Sequence, residues 1–159
     1  MRTFSILNGL SVISLHGGEE IGKVVNLLIN KTEIAGIIID KNGWLNRHLY
    51  VPLDEVHAVG QDALVVEDEK KLVIFDKKQF PLYSLYSGST NIAGKMLMST
   101  EGEKLGLLED VYFDESLGSI VGYEVTDGFI ADLKEGKQVL KTTAPLIVGE
   151  DVLVIDLNS

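Results

Sequence analysis

The side chains able to do chemistry are few and scattered. The chain has His16, His48 and His57, no cysteine, and acidic pairs or clusters at Glu19-Glu20, Glu67-Asp68-Glu69, Glu109-Asp110 and Asp114-Glu115. Without cysteine there are no disulfides, thiolate metal sites or thiol nucleophiles. No two histidines stand at His-x-His or His-Glu-x-x-His spacing, so a metal centre would have to be assembled from distant residues. Glu109, Asp110 and Asp114 are the nearest approach to a hard-cation site. They lack the Asp-x-Asp-x-Asp-Gly order of a calcium loop, and a solvated turn between strands is the better reading. Ser87-Gly88-Ser89 is not the Gly-x-Ser-x-Gly elbow of a hydrolase. Gly17 to Gly22 is not followed by a helix that would bring a phosphate to a positive dipole end. These residues imply no catalytic site, no metal and no cofactor. The expectation is a protein that binds and is not an enzyme.

Trp44 is the residue that best suggests recognition. It follows the Asn42-Gly43 turn and precedes Arg47, His48 and Tyr50; Phe129 stands at the matching place after Asp127-Gly128. Aromatics beside arginine are enriched at interface hot spots. Large apolar residues repeated at equivalent positions also suit the plugging of a core, and that reading competes. Trp44, Arg47, Tyr50 and Phe129 are the candidate protein-interaction residues.

Those positions are equivalent because the chain repeats. Gly22 and Gly106 head matching segments, at 106 − 22 = 84. Gly36 and Gly122 match at 122 − 36 = 86, and Gly60 and Gly149 at 149 − 60 = 89. The offset grows only across turns, where insertions fall between strands. Short segments rich in Val, Ile, Leu, Tyr and Phe, punctuated by Gly, Asn, Asp and Ser, predict strands near 10–16, 21–30, 34–40, 48–52 and 62–67. The second copy predicts strands near 94–99, 105–113, 119–126, 137–142 and 151–156, and Leu72-Val73-Ile74-Phe75 adds one more to the first. Short helical turns are expected at 52–56, with Pro52 first, and at 129–134. The reading is all-β: two small β-barrels in tandem, residues 1–78 and 93–159, joined by a linker over 79–92. Units this small bury little per residue, so the halves should pack together or the chain should dimerise.

A Gly-x-x-Ile/Leu-Gly entry, an apolar strand, a polar turn, an apolar strand around a glycine, an Asn/Asp-Gly-aromatic turn and a closing Gly-x-Asp-x-Leu-Val/Ile strand resemble the PRC-barrel module. That module is named for the photosynthetic reaction centre H subunit and also forms the C-terminal part of a ribosome maturation factor. The resemblance covers both halves. It implies two PRC-like β-barrels serving protein binding or assembly, with a link to ribosome- or RNA-associated proteins, since neither relative uses its barrel for catalysis.

The 159 residues carry 14 Lys+Arg against 24 Asp+Glu, a net charge of −10. Direct nucleic-acid binding and an anionic membrane surface are both disfavoured. No apolar run approaches the ~20 residues that span a bilayer, and no signal peptide is evident, so a cytoplasmic location is expected. The partner is expected to be a protein, or a second copy in a homodimer. The competing reading is a sensor that takes a small ligand or divalent metal in the cleft between the barrels.

Overall fold

A computed structural model describes residues 2–41, 47–76, 82–86, 91–126 and 137–157. The first repeat opens with β1 (Arg2–Thr3) and a single helical turn, α1 (Phe4–Leu7). Then come β2 (Ser11–Ser14), β3 (Glu20–Asn30), β4 (Glu33–Lys41), β5 (His48–Pro52), β6 (Val56–Val59), β7 (Ala63–Val66) and β8 (Val73–Ile74). The second has β9 (Tyr83–Ser84), β10 (Met96–Ser99), β11 (Lys104–Phe113), β12 (Ile120–Thr126), β13 (Lys137–Lys141), β14 (Ile147–Val148) and β15 (Val152–Ile155). The expected strands are all present. The turn after Pro52 is a 3-10 turn over Leu53–Glu55. The turn expected at 129–134 lies outside the described residues.

Two sheets result. One runs β6-β7-β2-β3-β4-β5-β8 and the other β13-β12-β11-β10-β15-β14. Each contains a parallel pair inside otherwise antiparallel neighbours, β2 with β7 and β10 with β15. Even the register irregularities repeat. The β3–β4 ladder slips between Val24 and Asn26 and again between Leu28 and Ile29; the β11–β12 ladder slips at Leu108/Asp110 and Tyr112/Phe113. Both pairs are separated by 84 (110 − 26 and 113 − 29). Such irregularities increase local twist and bend a sheet. Gly36 sits in the bend of β4 because a Cβ there would come to 2.3 Å from the carbonyl oxygen of Val51.

Two of the two-residue strands cross between the sheets. β1, which leads the first repeat, pairs with β11 of the second sheet. β9, which leads the second, pairs with β3 of the first. Arg2 faces Phe113, Tyr83 faces Ile29, and 113 − 29 is again 84, so the exchange is reciprocal. Part of the stretch expected as linker is therefore strand. The hairpin tips also meet reciprocally: Ile34 N–H donates to the Gly118 carbonyl at 2.9 Å, and Ile120 N–H to the Thr32 carbonyl at 2.8 Å. One hydrophobic core runs through both halves, joining Phe4, Leu27, Ile37, Leu64 and Leu85 to Leu97, Val111, Phe113, Tyr123 and Leu153. The halves pack together, as small units must.

Candidate functional site

Two of the candidate contacts, Arg47 and Tyr50, fall among the described residues. Arg47 immediately precedes β5 and is exposed. Tyr50 is only 8% exposed. Its ring lies over Gly36, where a Cβ would approach ring Cε1 at 2.6 Å. Its hydroxyl donates to the Ala35 carbonyl at 2.8 Å. Burial, and then the nearby Asp54 charge, push that hydroxyl's pKa up. Leu28, Ile38 and Tyr50 form a small outer cluster against which Phe75 and Leu82 pack. Trp44 and Phe129 lie outside the described residues.

The acidic residues considered for a cation each have another partner. Asp110 is buried; its Oδ1 accepts the N–H of Phe4 at 3.0 Å and of Val111 at 2.8 Å, and its Oδ2 accepts the N–H of Ser5 at 3.1 Å. Burial raises its pKa, against the lowering effect of those N–H groups. Asp114 accepts from Gly118 N–H and the Ser116 hydroxyl, and is held below the usual carboxylate range chiefly by the Gly118 N–H. Glu109 pairs with Lys137 at 3.7 Å. His57 Nδ1 lies 2.9 Å from Glu67 Oε1. Among the described residues no group of three His, Asp or Glu side chains is placed to hold a metal.

Residues not singled out from the sequence organise the junction. Asn26 is the counterpart of Asp110. Its Oδ1 accepts the N–H of Leu27 and Tyr86, and its Nδ2 donates to the Tyr86 carbonyl at 2.6 Å. Each fastens the exchanged lead of the other repeat. The chemistry explains the residue types: at 110 both oxygens meet donors, which suits a carboxylate, whereas at 26 two N–H donors and one carbonyl acceptor suit an amide. Phe4 and Tyr86, from the two leads, meet at 5.6 Å between ring centroids. The sequence signal was present: two polar residues in apolar strands, one repeat apart.

The junction has two corresponding flanks. On one, the Arg2 guanidinium donates to the Val59 carbonyl at 3.1 Å and lies 3.5 Å from Glu115. On the other, a groove of about 420 Å³ opens between the sheets. Its lining includes buried Ile29 and Ile92, half-buried Leu82, Leu146 and Val148, and exposed Asn30, Lys31, Tyr83 and Ile147.

The PRC-barrel domain model matches residues 1–73 and again 86–158. The chain belongs to the PRC-barrel family. Its two matches coincide with the two repeats, and the shared core joins them. A Bacillus subtilis (strain 168) relative, "Uncharacterized protein YrrD", is 29% identical over 161 residues, covering 98% of this chain and 88% of that one. Among the described residues, no helix of this PRC-barrel protein is long and apolar enough to cross a membrane.

Proposed function

We propose that this tandem PRC-barrel protein is a non-enzymatic adaptor that binds protein partners through an acidic surface. The observation that carries the reading is the disposition of charge. Asp110 is the one Asp or Glu buried among the described residues. The other described acids face solvent at least in part, in a chain of net charge −10. Such a surface steers basic partners and sets on-rate and specificity more than raw affinity. Basic proteins of ribosome- or RNA-associated assemblies are the partner class. Arg47 is exposed just before β5; we propose it as a contact together with Trp44, three residues earlier in the sequence, and Phe129 at the matching sequence position of the second repeat. Tyr50 then supports the contact from beneath the cover of Phe75 and Leu82.

Affinity capture with the full chain tests this. Wild type should recover basic proteins at low salt and lose them at high salt, with Trp44→Ala and Arg47→Ala recovering less. Equal recovery by all three baits sinks the contact; recovery of nothing basic sinks the adaptor. The groove between the sheets favours a second reading, a sensor of a small ligand in that cleft. A thermal shift that grows with free ligand concentration would be its mark.

A further inference from the structure

The two flanks of the junction differ at corresponding residues. Tyr83 stands where Arg2 stands, because each pairs with the same residue of its facing strand (Ile29 and Phe113). Val148 stands where Val59 stands, facing Leu153 as Val59 faces Leu64. Counted from Ile29 and Phe113, the residues that pair with the two leads, Lys31 stands where Glu115 stands, each two residues on and 115 − 31 = 84 apart. On the Arg2 flank a cation meets a carboxylate and a carbonyl within the chain. On the groove flank the carboxylate is replaced by Lys31, the charged residue of the lining, and the arginine by Tyr83. Lys31 is exposed and forms no ion pair among the described residues. Beside it lie Ile147, 60% exposed, and Tyr83, 38% exposed.

We infer that the groove binds an aliphatic carboxylate, with its tail along Ile29, Ile92 and Ile147 and its head at Lys31. This rests on the cleft reading above and names its ligand class. The volume falls within the ~300–1,000 Å³ of small-molecule sites. An apolar tail is favoured by covering side chains that water now meets. The head supplies the anion that the other flank has built in and this one lacks. Distant acids of this negatively charged chain are screened beyond ~8 Å at physiological ionic strength, so the nearest charge governs the choice of head group.

Octanoate, octylammonium and 1-octanol serve as probes in amide-resolved NMR titrations of the full chain. Octanoate should shift the Lys31, Tyr83 and Ile147 amides saturably and bind about tenfold more tightly than octylammonium, a difference of ~1.4 kcal/mol between an attracted and a repelled head group. Lys31→Glu should reverse that order. Ile147→Ser, a change at an exposed site, should weaken all three probes without changing their order. Equal affinity of the three probes for wild type, or an order unmoved by Lys31→Glu, overturns the carboxylate assignment while leaving an apolar cleft. Absence of any shift at these amides with all three probes overturns the cleft reading itself.

Discussion

The outer faces of the two sheets began as the same surface and are now opposites. In the first, Val25, Leu28, Ile38 and Tyr50 make an apolar layer under Phe75 and Leu82. The corresponding residues of the second are Glu109, Tyr112, Glu124 and Val139, as the ladder registers show. There Lys137 lies 3.4 Å from Glu124 and 3.7 Å from Glu109, and Tyr112 donates its hydroxyl to Glu124. The inner faces have stayed alike: Val24 and Leu108, Leu27 and Val111, Ile39 and Val125 are buried pairs. An inner face answers to close packing, which tolerates little change of volume. An outer face answers only to what covers it. Chain after β8 covers the first, and the second meets water with a salt-bridged surface.

The exchanged leads give the largest test of this pairing. Phe4 is fully buried, so Phe4→Ala should cost roughly 3–5 kcal/mol of unfolding free energy by chemical denaturation. Tyr86→Ala, at a half-buried ring, should cost clearly less; equal losses would mean that the two leads carry equal weight. Next come the glycines in the bends. A Cβ at Gly36 would lie 2.3 Å from the Val51 carbonyl oxygen, against 2.8 Å from that of Leu140 at Gly122. Gly36→Ala should cost more than the ~1–3 kcal/mol typical of overpacking, and Gly122→Ala should fall within it. The reverse order in urea melts would contradict the described backbone spacing.

The two anchors should separate on a pH axis. Asp110 has a raised pKa in the fold, so its contribution is fullest below the unfolded value near 3.8 and is lost as pH rises through the native value. Asn26 does not titrate. The stability of Asp110→Asn relative to wild type should therefore improve as pH rises from about 3 to 7. A flat or falling difference would show that the N–H bonds outweigh burial. Asp114 has a lowered pKa and works in the opposite sense, losing its contribution as pH falls through its native value. Smaller effects belong to the outer faces. Tyr50→Phe, which removes the hydroxyl bond to Ala35, should cost about 1 kcal/mol. Lys137→Ala should leave the thermal midpoint within the error of the melt, because the side chain is 68% exposed and exposed ion pairs contribute little.

The strands and the duplication were legible because strand alternation and glycine spacing are local signals. The exchange of leads was not. Arg2–Thr3 and Tyr83–Ser84 are two residues each, too short for a period of two to appear, and no pattern within them names the sheet they join. Asn26 and Asp110 look like blemishes in apolar strands until the facing N–H and carbonyl groups are known. The groove was equally hidden: Lys31 and Glu115 read as ordinary turn residues, and only the pairing of the leads with Ile29 and Phe113 shows that they hold corresponding places on the two flanks. Arg47 and Tyr50 are three residues apart in sequence, and only the structure shows that Arg47 is exposed while the cover from Phe75 and Leu82 withdraws Tyr50 from solvent.

Because β1 pairs with Phe113 and Tyr112 of the second sheet, Arg2 and Thr3 cannot settle until residues more than a hundred positions further along the chain are in place. Until then Phe4 and Leu7 stay without their final surroundings. The junction is a mutual clasp that neither repeat can complete alone, and a chain cut between them would yield two fragments each holding the piece the other needs.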